Sequence, residues 1–271
     1  EGGLYDTLGS MSPLKVGYAR VSTDEQDLTA QRDGLAAFGV DPKRIYVDHG
    51  LTGRNADREG LRQALAVSMP AGHTGPGDNR PIEDYGVAAR RAGVLIPVVA
   101  APEPYVYFTQ RSAALRHHPG QISFPGGSME ESDANAQQAA LREAQEEIEL
   151  HPRHVEVLGE LPEYPTVTGF VISPFVGWVA PGADVYPDDA EVARLFAVPL
   201  AHLLDMNNYR QYPYERNGQT YHVYGIDYRD DHIWGATAGI LLGLVQRLAH
   251  AEDRPLALPR RADEPERSRG R

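Results

Sequence analysis

The most chemically loaded stretch of the chain is ISFPGGSMEESDANAQQAALREAQEEIEL, residues 122–150. An apolar run ends in Pro125-Gly126-Gly127, and the glycines permit a sharp turn and a close approach of backbone to ligand. Ser132 or Asp133 stands where it can cap a helix, and the alanine-rich sequence that follows favours helix propagation. At roughly 100° per residue, Leu141, Ala144 and Ile148 share one face while Glu143, Glu146 and Glu147 cluster opposite. Carboxylates at this spacing repel by a few tenths of a kcal/mol per exposed pair. A Mg²⁺ or Mn²⁺ ion would reverse that sign, because hard cations take several carboxylate oxygens together with phosphate and water. Arg142, four residues before Glu146, can orient one carboxylate. Acidic helix faces are ordinarily just solvated surface. Here the glycine turn, cap and helix follow one another without a break, which points to a bound divalent cation.

A second group of candidates lies just upstream, in FTQRSAALRHHPGQISFPGG. Arg111 and Arg116 offer the forked donors that a multiply phosphorylated ligand needs, although a single arginine near a strand end is more often a surface ion pair. His117 and His118 read as exposed loop residues, since Mg²⁺ prefers oxygen.

These two segments resemble the Nudix box and the signature of its coenzyme A pyrophosphatase branch. Gly127, Arg142, Glu143, Glu146, Glu147 and Leu150 fall on fixed box positions. Thr109, Arg111, Ser112, Arg116, Gly120, Phe124, Pro125, Gly126 and Gly127 match the branch signature at every spacing. Asp133 replaces the first box glutamate and is followed by one extra residue before Arg142, an insertion typical of that branch. Glu149 replaces the second box glycine; if the position is left-handed, it costs on the order of 1 kcal/mol. The resemblance extends through TVTGFVISPFVGWV and DHIWGATAGIL, from about residue 86 to 250.

What the resemblance implies is an α/β fold, the Nudix α/β/α sandwich with a mixed sheet. It further implies metal-dependent hydrolysis of coenzyme A, or its acyl derivatives, to 3′,5′-ADP and 4′-phosphopantetheine. Glu143, Glu146, Glu147 and Arg142 would be catalytic, with the three glutamates and Gly127 forming the Mg²⁺ or Mn²⁺ site. Arg111, Ser112, Arg116, Phe124 and Gly126 would bind substrate. The alternative is a Nudix pyrophosphatase for an ADP-sugar or dinucleotide. Tyr164, Thr166, Thr168 and Phe170 are candidates for the pocket border. Trp234 either stacks on a base or fills the core, and core is expected. Glu191 either orients a water or merely starts a helix in solvent.

The elements that must position these residues follow from pattern. Strands are expected at 94–99, 106–111, 122–124, 155–158, 170–179, 209–214 and 220–228, with helices at 134–148 and from 233 to about 250. Ahead of them, residues 13–67 read as a small βαβα piece, and residues 68–85, rich in Gly and Pro, as a linker. Residues 1–12 are expected to be a disordered leader and 252–271 a disordered tail, leaving 86–251 as the main domain.

KVGYARVSTDEQDLTAQ resembles the start of serine recombinases of the resolvase/invertase family. Ser22 would be the nucleophile, with Tyr18, Arg20, Gln31, Asp48 and Arg58 on matching positions. A serine attacking a DNA phosphate needs several arginines to stabilise the charge, and the strand and helix from which the resemblance implies the key ones would come do not follow here. Two parallel strands make no independent sheet, so the piece is expected to be an incomplete fragment without strand exchange.

Composition closes off several classes. Among 271 residues there is no cysteine, which excludes disulfides and thiolate metal sites. No apolar run is long enough to span a bilayer, and a cytoplasmic protein without membrane partners is expected. A net charge of −12 argues against general nucleic-acid binding. It suits a small nucleotide of the coenzyme A class if a cation stands between protein and phosphate; a homodimer is left open.

Overall fold

The computed structural model describes residues 16–21, 25–37, 39–49, 59–66, 89–115, 118–166, 168–216, 219–250 and 260–261. In chain order the first elements are β1 (Val16–Val21), α1 (Glu25–Ala37), β2 (Ile45–His49) and α2 (Glu59–Leu65). Next come β3 (Arg90–Val99), β4 (Tyr105–Arg111), β5 (Ile122–Ser123), β6 (Gly126–Ser128) and α3 (Ala136–Ile148). They are followed by β7 (Val155–Glu160), β8 (Tyr164–Pro165), β9 (Phe170–Val179), β10 (Val192–Pro199) and α4 (Leu200–Leu204). The last are β11 (Tyr209–Arg216), β12 (Gln219–Tyr228), β13 (Asp231–Trp234), α5 (Ala236–Arg247), β14 (Leu248–His250) and β15 (Arg260–Arg261).

The apolar runs of β3 and β9 are nearly continuous because both faces of these strands are covered. They lie parallel at the centre of an 8-stranded mixed sheet with the order β10-β4-β3-β9-β7, flanked by the short β5, β6 and β8. On one face Leu95, Val99, Phe175 and Val179 meet Ala140, Ala144 and Ile148 of α3. On the other, Ile96, Val98, Phe108 and Val176 join a larger core with α4, α5 and the inner side of a 4-stranded sheet, β13-β12-β11-β15. Helix α3 approaches β3 so closely that a Cβ on Gly93 would lie 2.0 Å from the Ala136 carbonyl oxygen. Any larger residue there would push the acidic helix off the sheet.

Several expectations are corrected by tertiary pairing. Helix α3 starts at Ala136, and its cap is Asn135, whose side chain accepts from the Gln138 amide, rather than Ser132 or Asp133. Ile233, expected to open the last helix, lies in β13, and the helix ends at Arg247 before β14. The segment around Glu191 leads into strand β10 rather than a helix, because Val192–Pro199 pairs with β4. Part of the expected tail, Arg260–Arg261, pairs with β11. The leader, the linker, Ser22, Arg58, Arg116 and His117 lie outside the described residues.

The N-terminal piece proves to be attached rather than independent. β14 lies parallel to β1 and supplies the third strand of a β14-β1-β2 sheet. Tyr18, Leu61, Ala64 and Leu65 enter the same core as α4 and α5. Arg62 donates from Nε to Glu156 on β7 at 3.0 Å and from its other guanidinium nitrogen to the same carboxylate. Asp48, one of the recombinase-like positions, is buried as a local cap for α2. It accepts from the Gly60 amide at 2.6 Å, the Leu61 amide at 3.3 Å and the Tyr18 hydroxyl at 2.9 Å.

Candidate active site

Strand β6 and helix α3 bring the glycine turn and the acidic residues together, but not as one exposed fan of carboxylates. Glu147 is only 3% exposed, on the sheet side of the helix. Its carboxyl accepts from the Gly126 amide at 3.3 Å and faces an Arg111 guanidinium nitrogen at 3.5 Å. The helical wheel placed it opposite the buried stripe; it lies instead at the stripe's border, where β6 leaves a polar partner under the helix. Burial pushes its pKa up from 4.5 to about 8, against the Gly126 bond and Arg111, which lower it; Glu143 and Glu191 push it further up.

Glu143 sits over Gly127, where a Cβ would lie 2.4 Å from its Oε1, so only glycine admits this carboxylate. Burial raises its pKa as well, opposed by Arg142. Glu146 projects outward, its side chain 59% exposed, and accepts from Arg142 at 2.8 Å. Arg142 is thus more than an orienter of one carboxylate. Its guanidinium donates to Asp133 at 3.0 and 3.2 Å, to Glu143 at 3.1 Å, to Glu146, and to the Ser128 carbonyl at 3.1 Å. Asp133 is held below its usual carboxylate range chiefly by that arginine. The residue that departs from the box motif is therefore the one that fixes Arg142 to the turn before α3.

Glu149 ends the helix in the left-handed region, at φ 53° and ψ 17°, with its amide donating to the Ala144 carbonyl. The strain foreseen for a side chain at this position is present. Beyond it, the Tyr186 and Asp188 amides donate to the carbonyls of Ile148 and Glu147, at 3.0 and 2.9 Å, and satisfy the open helix end. This loop delivers Glu191, whose carbonyl accepts from the Ser112 amide at 2.8 Å. Its charge reaches both Glu143 and Glu147. Glu191 comes near these carboxylates only through a loop that closes over α3 from about 40 residues downstream, which no local pattern shows.

The remaining candidates divide. Phe124 is core, stacked on Phe108 with ring centroids 5.1 Å apart. Ser112 bonds within its loop, where its hydroxyl accepts from the Ala114 amide. Tyr164 is buried beneath Gly239 rather than bordering a pocket. Thr166 and Thr168 share a hydroxyl–hydroxyl bond of 2.9 Å in the turn before Phe170, over whose ring Arg90 lies. Trp234, expected in the core, is 46% exposed.

The donor set suits a hard divalent cation. Two carboxylates, Glu143 and Glu147, lie beside a glycine turn, both with pKa values raised chiefly by burial, and Glu191 is within electrostatic reach of both.

Comparison with known proteins agrees with this arrangement of mixed sheet, glycine turn and acidic helix. A NUDIX domain model matches residues 89–216, and the chain belongs to the Nudix hydrolase family. It is 42% identical over 159 residues to an uncharacterized Nudix hydrolase, NudL, of Cronobacter sakazakii, covering 59% of this chain and 83% of that one. The NudL of Pectobacterium atrosepticum is 39% identical over 180 residues, covering 66% of this chain and 90% of the relative. Among solved structures, the Nudix hydrolase RenU of M. smegmatis aligns with a TM-score of 0.36 and 22% identity, over 42% of this chain and 73% of that one. A model for the resolvase N-terminal domain matches residues 15–73. No helix among the described residues is long and apolar enough to cross a membrane.

Proposed function

We propose that this Nudix hydrolase cleaves the pyrophosphate bond of coenzyme A or its acyl derivatives, giving 3′,5′-ADP and (acyl-)4′-phosphopantetheine. The observation that carries the reading is the Arg111–Glu147 contact. It joins the arginine motif upstream of the turn to the acidic helix, so that one site combines phosphate-binding and cation-binding groups.

In this reading Glu143 and Glu147 hold Mg²⁺ or Mn²⁺, with Glu146 at the exposed margin and the Gly127 turn alongside. The cation, when bound, supplies charge neutralisation on the diphosphate and a more acidic water. The chain's own groups do the rest. Arg111, with Ser112 and Arg116 of the same motif, would bind and orient the diphosphate. Arg142, clamped by Asp133, holds Glu143 over the Gly127 turn and ties the exposed Glu146 to it. Glu191, whose charge reaches Glu143 and Glu147, would accept the proton of the attacking water. As that oxygen bonds to phosphorus, the phosphorus–oxygen bond to the other phosphate breaks, and the leaving phosphate departs with the bridging oxygen. Ser22, Arg20 and Tyr18 have no part in the reaction. Tyr18 serves instead as a donor to the Asp48 cap.

The test is incubation with coenzyme A, ADP-ribose and diadenosine polyphosphates in Mg²⁺ or Mn²⁺, with products identified by mass spectrometry. Coenzyme A should be consumed fastest. Inert coenzyme A beside cleavage of another substrate would sink the proposal in favour of an ADP-sugar or dinucleotide hydrolase.

A further inference from the structure

The mixed sheet ends in two outer strands, and the chain guards them unequally. An edge strand offers unpaired amides and carbonyls, which proteins ordinarily protect with charge, a bulge or a covering element. Strand β7 has all three: exposed Glu156 and Glu160, a register shift between Val157 and Gly159, and Arg62 of α2 bound to Glu156. Strand β10, at the other end of the strand order, is bare by comparison. Its irregularity is confined to Val192–Arg194. Arg194, the one charge on the strand, is drawn aside. Its guanidinium lies 4.4 Å over the Phe196 ring and donates to Gln110 and Asp231, each at 3.2 Å. From Leu195 to Val198 the strand is uncharged and pairs with β4 along one side. In an antiparallel ladder, alternate backbone groups point away from the partner strand. Beyond that ladder, the backbone bonds of β10 among the described residues stop at the Val192 amide, which donates to the Asp188 carbonyl at 2.8 Å. Ala193 and Ala197 are exposed and small, and leave the outward row of backbone groups open.

We propose that β10 is the contact edge for a second copy of this chain, joined strand to antiparallel strand about a two-fold axis normal to the sheet. Opposing Phe196 to its own copy sets Leu195 across from Ala197 and Arg194 across from Val198. Large then meets small, and no like charges oppose. Charge points to the same edge. At a net charge of −12, copies repel wherever acids face outward. Strands β4 and β10 together carry Arg111 and Arg194 and no Asp or Glu. A foreign extended peptide is the weaker candidate. Specificity in strand addition comes from side-chain pockets, whereas β10 exposes two alanines and an arginine that is already paired.

The test is sedimentation velocity of the whole chain at micromolar concentration, where the parent should run as a dimer. In this register Ala197 and its copy are diagonal neighbours, about 7–8 Å apart. Ala197→Lys and Ala197→Glu should therefore each raise the dissociation constant on the order of a hundredfold, with the circular dichroism spectrum unchanged. An equimolar mixture of the two variants should recover the dimer, because opposite charges then meet across the axis; misfolding would not be rescued in this way. A monomeric parent, a dimer that both substitutions leave intact, or variants that stay monomeric when mixed would overturn the assignment.

Discussion

Replacing Glu147 with glutamine separates stability from catalysis in a way that follows from its burial. The carboxyl titrates at about 8 in the folded protein against 4.5 when solvated, with desolvation as the main cause. Between those values the folded state holds a proton that the unfolded state has released, so metal-free stability falls as pH rises through this window. A difference of about 3.5 in pKa corresponds to roughly 5 kcal/mol above pH 8 and about 3 kcal/mol at pH 7. Glutamine cannot ionise and escapes this cost. Its carbonyl can still accept the Gly126 amide, while its amide nitrogen would face Arg111, a loss of about 1 kcal/mol. Glu147→Gln should therefore be more stable than the parent by about 2 kcal/mol at pH 7 in chelator, with the gap shrinking as pH falls towards 4.5. Turnover should be abolished. Adding Mn²⁺ should raise the melting temperature of the parent and leave the variant where it was. Urea denaturation at pH 5, 6, 7 and 8, with and without Mn²⁺, reads all of this. Parallel pH profiles, a less stable variant at pH 7, or unchanged turnover would refute the reasoning.

Three other outcomes are expected. Glu149→Gly should relieve the left-handed strain and stabilise the protein by about 1 kcal/mol, seen as a rise of about 2–4 °C in melting temperature with kcat unchanged. Asp133→Asn should cost about 3 kcal/mol by leaving Arg142 without its best-buried partner. It should also lower kcat/KM, because Glu143 and Glu146 lose their clamp; full activity in this variant would show that Arg142 needs no anchor. Leu65→Ala, in the N-terminal piece, should cost about 2–4 kcal/mol and lower the temperature at which hydrolase activity is lost. Retention of activity to the parent's temperature would mean that this piece unfolds independently.

How much of the molecule could be read in advance follows the range of the forces involved. The strand over residues 170–179 was legible to the residue, since an apolar run with both faces covered carries its own signal. β6, with the sequence Gly-Gly-Ser, was not, because it is a strand only by virtue of its pairing with β3. Residues 233–234 stood at the start of what looked like one helix, yet pairing with β12 outweighs the local propensity.

The N-terminal piece shows the same division. Its strands and helices were evident, but its missing sheet partner came from Leu248–His250, more than 200 residues away, where no local pattern could point.

For the candidate site, sequence by itself determined which residue types stand close together along the chain. A glycine turn, an acidic helix and an upstream arginine motif are contiguous within residues 109–150, and short-range spacing decides which of them share a turn or a helix face. Tertiary structure alone decided which carboxylate is buried, which arginine faces it, that Glu191 comes within electrostatic reach of Glu143 and Glu147, and that Trp234 faces outward. Burial and charge proximity are properties of packed surfaces, set when distant segments close over one another. That is why Glu147 titrates near 8 while Glu146, one residue before it, faces water.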